Sequence, residues 1–165
     1  MAAPNRRMAL VLGCAALASG CGFQLRQAPT FAFDNLFIGA APASSVAAEL
    51  RRTLAAGSTV KLAPAPESAQ VILDLLDERR EKVVVGLNAT GQVREFQIRT
   101  RIRFRLRTPA GKELIPATEL LQQRDISFTE SAALAKEVEE NMLYRDMQTD
   151  LVQQLMRRLA AVKAL

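Results

Sequence analysis

The chain has 165 residues, with 22 Lys and Arg against 17 Asp and Glu, no His and no Trp. That length carries one domain with a substantial core, and the lack of histidine excludes a His-dependent triad or a His-ligated metal centre. The only cysteines, Cys14 and Cys21, lie near the N-terminus, so the body of the chain has neither a disulfide framework nor a thiolate cluster for zinc.

In chain order, residues 1–20 are predicted to be a signal peptide. Arg6 and Arg7 form a positive start, and the apolar run Met8–Ala18 is eleven residues long. A helix that crosses a bilayer takes about 20. The sequence Leu17-Ala18-Ser19-Gly20-Cys21 resembles a bacterial lipobox, although Ala18 stands where Leu is commoner. The resemblance implies cleavage before Cys21 and acylation of its sulfur and new amino group. Several acyl chains, at about 0.8 kcal/mol per buried CH₂, make such attachment effectively permanent. An ordinary secretory signal with an incidental cysteine is the plainer alternative. Gly22, in place of Asp after the cysteine, favours the outer membrane by resemblance to the usual sorting rule. Loss of the signal leaves 20 basic and 17 acidic residues.

Residues 21–32, with Pro29, read as a lipidated tether, and 33–165 as a single α+β domain. Residues 33–40 are predicted to form a short strand. Ser44 or Ser45 then caps a helix in which Val46, Leu50 and Leu54 share a face, with Gly57 ending it. Residues 59–62 read as extended and 63–67, with two prolines, as a loop. Val71 to Leu87 reads as a long strand with room for a bulge, and with a charged middle at 77–82 that projects beyond the sheet or bends. Asn88-Ala89-Thr90-Gly91 is a hairpin turn.

The next strand has the strongest pattern in the chain. Over 96–107, Phe96, Ile98, Thr100, Ile102, Phe104 and Leu106 alternate with Gln97, Arg99, Arg101, Arg103, Arg105 and Arg107. The period of two predicts one apolar, buried face and one face lined by five arginines. Neighbouring arginines stand about 6.8 Å apart and repel by roughly 0.6 kcal/mol in water before screening. The face is therefore solvated, paired with acids, or in contact with an anion such as a phosphate or carboxylate. A simple hairpin register places Glu78 opposite Arg101, Asp74 opposite Arg105, Leu76 opposite Arg103 and Ile72 opposite Arg107. After a turn at 108–112, residues 113–128 form a third long strand, Pro116 marking an edge or bulge, with Glu119 facing Arg101. From Ser131 to Ala164 there is no Gly or Pro. Ser131 is the predicted cap of a helix about 45 Å long, with Leu134, Val138 and Met142, then Met147, Leu151, Leu155 and Leu159, as a core-facing stripe. The sum is two helices packed on one face of a four-stranded mixed sheet, the arginines on the open face.

Taken together, the lipobox running into Cys21-Gly22-Phe23-Gln24-Leu25-Arg26, the Leu50–Leu54 helix motif LRRTL, the arginine strand, the strand end at Gln123–Phe128 and the helix ALAKEVEENMLYRDMQTDLVQQLMRRL resemble the LPS-assembly lipoprotein LptE family. The resemblance implies two helices on one face of a four-stranded sheet. It also implies a non-catalytic, lipid-anchored protein of the outer membrane, facing the periplasm and seated in the lumen of the LptD β-barrel. There it plugs the barrel one-to-one, helps it fold and binds lipopolysaccharide. A proposed family contact carries over to Lys136. A second precedes the hairpin turn, where this chain has no base, so Arg94 or the stripe residues Arg99, Arg101, Arg103 and Arg105 are the candidate replacements. The alternative is a free outer-membrane lipoprotein that binds an anionic glycolipid or polymer without a barrel. No cofactor or metal is expected. No Ser-x-x-Lys motif opens a helix, since Lys136 follows Ser131 by five. Nucleic acid is not an expected partner, because the aromatics of the strand fall on its buried side.

Overall fold

The structure, a computed structural model, describes residues 29–164. The signal peptide, Cys21 and most of the tether lie outside the described residues. The elements are β1 (Asn35–Gly39), α1 (Ser45–Gly57), β2 (Lys61–Leu62), β3 (Val71–Leu87), β4 (Val93–Arg107), β5 (Glu113–Ser127) and α2 (Ala133–Ala160). The sheet is mixed, in the order β2-β1-β3-β4-β5. Among the described residues it has five strands where four were expected. The segment read as merely extended supplies the fifth, because Lys61 and Leu62 pair in parallel with Asn35 and Leu36.

Both helices lie on the face that carries Ile98, Ile102, Phe104 and Leu106, all fully buried. Leu50 and Leu54 of α1 and Leu151, Leu155 and Leu159 of α2 join Leu36, Leu73 and Phe104 in one cluster. The helix α1 starts where expected. Ser44 is its N-cap and accepts a hydrogen bond from the Ala47 amide at 3.0 Å. Gly57 is the last helical residue, and Ser58 closes the helix onto the Leu54 carbonyl. At the β3–β4 turn the Asn88 side chain accepts hydrogen bonds from the Thr90 and Gln92 amides, and Gly91 takes φ +81°, which suits glycine.

The strand β3 departs from the simple register. Leu75 pairs with Phe104 but Asp77 pairs with Arg103, so Leu76 is an inserted bulge residue. One extra residue exchanges the two faces of the strand from Asp77 to Val84, where a second irregularity at Val85 ends the exchange. Glu78 therefore lies opposite Ile102 rather than Arg101, and Arg103 meets Asp77 rather than Leu76; Asp74–Arg105 and Ile72–Arg107 hold. The charged middle neither projects nor bends away. Its even residues turn toward the helices, where Glu78 accepts from Ser44 at 2.6 Å and Ser45 at 2.7 Å, and Arg80 donates to Gln148 at 2.8 Å. β1 pairs with β3 only from Val71 to Asp74, so the β3–β4–β5 meander continues alone toward the hairpin end. The chain enters β1 at the opposite end of β3, about 50 Å away.

The start of α2 also differs from expectation. Its N-cap is Ala132, with no side-chain bond to the helix, after a single 3₁₀ turn at Glu130–Ala132. Leu134, Val138 and Met142 are not core residues. They are 82%, 61% and 57% exposed and point away from the sheet.

Thr100 is 1% exposed on the buried face, and its hydroxyl has no partner among the described residues. An unpaired buried hydroxyl opposes folding. Thr100→Val is expected to raise stability by about 1 kcal/mol, as a higher urea midpoint at an unchanged m-value.

Candidate functional site

The sequence-predicted residues fall into two groups. Arg99, Arg101, Arg103 and Arg105 line the open sheet face. Arg94 and Lys136 lie at the hairpin end, and both border the connection from β5 to α2.

On the open face the neighbouring strands meet the arginines with acids. Among the described residues the six guanidinium groups of Arg79, Arg99, Arg101, Arg103, Arg105 and Arg107 share it with seven carboxylates, those of Asp74, Asp77, Glu81, Glu95, Glu113, Glu119 and Asp125. Arg105 and Arg107 both donate to Asp74 at 2.8 Å. Arg101 is hydrogen-bonded to Glu81, and Glu119 stands 3.9 Å from it on the diagonal. Glu119 lies directly opposite Arg103, not Arg101 as the simplest register had it. Arg99 donates to Gln97 at 2.7 Å. Among the described residues Arg103 makes no ion pair or hydrogen bond, although Asp77 and Glu119 flank it.

Burial alone raises the Asp74 pKa, but hydrogen bonds from Arg107 and Arg105, and their charges, outweigh it and hold the carboxyl below its usual range. The same bond raises Arg107.

At the hairpin end, Arg94 is exposed and lines a groove of about 330 Å³ with Gln92, Val93, Thr129, Glu130 and Ser131. Lys136 lines a cavity of about 310 Å³ between the first turns of α2 and the sheet, with Lys82, Phe96, Ile126, Ser127, Phe128, Ala133, Glu137 and Glu140. Its ammonium donates to Ser127 Oγ at 3.0 Å and Glu139 at 2.8 Å. Phe96 and Phe128 meet edge to face, with centroids 5.3 Å apart. The Lys82 ammonium sits 4.3 Å from the Phe96 centroid and pairs with Glu140 at 2.5 Å. Sequence reasoning missed Lys82, because only the bulge at Leu76 turns it to the helix side. Tyr144 closes the inner side of this region and donates to the Glu81 carbonyl at 2.9 Å. Burial, then the nearby Glu140 charge, raises its pKa.

The fold defines the class, a two-layer α+β domain seen in solved bacterial lipoproteins. It matches the solution structure of an uncharacterized lipoprotein B from Nitrosomonas europaea at TM-score 0.75 and 33% identity, covering 85% of this chain and 91% of that one. The crystal structure of the rare lipoprotein B from Shewanella oneidensis shares the fold at TM-score 0.67 and 20% identity, over 77% of this chain and 94% of that one. The chain belongs to the LptE lipopolysaccharide-assembly family, which it matches over residues 33–159. It is also similar to the LPS-assembly lipoprotein LptE of Yersinia pestis (strain Pestoides F), with 27% identity over 97% of this chain and 78% of that one.

Asp74→Asn is expected to destabilise the protein by about 1–2 kcal/mol at pH 7, given two charge-assisted bonds to partly solvated arginines. Because its folded pKa is lowered, the stabilisation from Asp74 is present above the unfolded value, about 3.9, and is lost as pH falls through the folded one. Urea unfolding of the two proteins should therefore differ at pH 7 and converge under acid.

Proposed function

We propose that the protein is the lipid-anchored partner of the outer-membrane LptD barrel, which it plugs and helps to fold as a one-to-one complex, and that it binds lipopolysaccharide. The observation that carries the reading is the family match across the whole sheet-and-helix domain. Cys21 provides the anchor and no reaction is catalysed.

The two groups of basic residues have different tasks in this reading. Lys136 and Arg94 at the hairpin end engage the phosphates and carboxylates of lipopolysaccharide. The arginine face is matched with acids of its own. A charged but balanced surface of that kind is suited to a polar barrel lumen, where an unbalanced row of arginines would repel itself. Contact between the stripe and the ligand is the competing use, and the two are separable by substitution.

Mass spectrometry of what co-purifies with the tagged, membrane-extracted protein tests the first half. A large outer-membrane β-barrel at equal stoichiometry is expected. Its absence, with retention on lipopolysaccharide resin, would instead favour a free glycolipid-binding lipoprotein. For the second half, Arg94→Gln with Lys136→Gln should lower lipopolysaccharide retention and leave barrel yield unchanged. Replacing Arg99, Arg101, Arg103 and Arg105 by Gln should lower barrel yield with the circular dichroism spectrum preserved. Reversed effects would exchange the two assignments.

A further inference from the structure

We propose that the cavity beneath the first turns of α2 is a seat for an acylated phosphate, with Lys82 and Lys136 holding the phosphoryl group and Phe96, Ile126 and Phe128 receiving the start of an alkyl chain. The inference rests on the lipopolysaccharide-binding reading and deepens it by naming Lys82 and the chemistry of the group bound.

The start of α2 gives up apolar packing that its sequence could have made. Turned inward, Leu134, Val138 and Met142 would have filled this space and gained the stabilisation that burial of large apolar side chains brings. They point outward instead. Lys136, Glu137 and Glu140 occupy the inward side, and a cavity of about 310 Å³ stays open beneath them. Further along the same helix the ordinary arrangement returns, with Met147, Leu151 and Leu155 fully buried. The inversion is confined to the turns above the cavity.

The lining combines two ammonium groups with an edge-to-face aromatic pair, which matches a ligand that is anionic at one end and apolar at the other. Both ammoniums are occupied at rest. Lys82 holds Glu140, Lys136 holds Glu139 and Ser127 Oγ, and Glu137 also borders the space. Binding is therefore an exchange. A phosphate monoester carries more charge than a carboxylate and has three acceptor oxygens, so one group can take both lysines, and Lys82 leaves Glu140 to reach it. Inorganic phosphate would leave the aromatic walls wet, and the alkyl chain supplies that part of the fit. The acids keep weaker anions out.

Exchange predicts a gain as well as a loss. The full-length protein, extracted in a non-ionic detergent and immobilised by a tag, is tested for retention of radiolabelled lipopolysaccharide and of the same material after phosphatase treatment. Lys82→Met keeps the contact with Phe96 but removes the charge. It should lower retention of the phosphorylated form about five- to tenfold and leave the dephosphorylated form unchanged. Glu140→Gln frees Lys82 and should raise retention of the phosphorylated form severalfold. If both variants behave as wild type while Lys136→Gln loses binding, the seat is overturned and the broader reading stands. If the wild-type protein retains no lipopolysaccharide, the broader reading falls with it. Phosphatidic acid serves as the second source of an acylated phosphate. Stronger retention of phosphatidic acid than of lipopolysaccharide, with the same response to both substitutions, would support the seat and assign it to glycerophospholipid.

Discussion

The structure depends on the unbroken alternation of β4. As the fourth of five strands it is paired on both sides, with β3 and with β5, over most of its length. Its even residues lie on the face that carries both helices and pack directly under α2, and its odd residues form the charged face. Burial of a single unpaired guanidinium is strongly unfavourable, so a slip of one residue, which would bring five arginines under the helices, is excluded. The register of β4 thus sets which face receives the helices.

Within that frame the bulge at Leu76 decides what the polar groups do. Without it, Glu78, Arg80 and Lys82 would join the open face. With it, they become the ties between sheet and helices. Glu78 anchors the capping serines of α1, Arg80 reaches Gln148 and lies 5.2 Å over the Tyr144 ring, and Lys82 reaches Glu140. Gln148 in turn donates to Glu49 at 2.6 Å, joining the helices to each other. One inserted residue therefore supplies both the polar latch of the helical layer and a cation at the mouth of the cavity.

The parts legible in the sequence are those governed by local periodicity. The long strands, both helices, the two hairpin turns and the α+β layering follow from residue spacing, and Ser44 was readable as a cap. What was not legible depends on events without a local signature. A bulge in β3 is within what the sequence suggests, but no glycine or proline marks its place at Leu76, so the register of the upper half of β3, and with it the position of Lys82, was out of reach. The pairing of Lys61 and Leu62 with β1 depends on a tertiary contact that two exposed residues do not announce. Leu134, Val138 and Met142 show why periodicity alone does not settle burial. Their spacing fits a core stripe, yet they lie on the opposite side of α2 from Met147 and Leu151, and the change of face near Asn141–Tyr144 is where the helix passes from cavity to core.

In the proposed function the same geometry would separate two tasks along the β3 strand, about 50 Å from end to end. The tether joins at the end where β1 begins, and the cavity and Arg94 lie at the other, beside the β3–β4 turn. In that proposal an anchor attached through the tether leaves the hairpin end to meet ligand, while the charged face runs along the strands between. The most direct measurement is photo-crosslinking in cells, with p-benzoylphenylalanine placed at Ala133, on the rim of the cavity, or at Leu121, on the arginine face. The account predicts a lipopolysaccharide adduct from position 133 and none from 121. An adduct from 121 and none from 133 would contradict it.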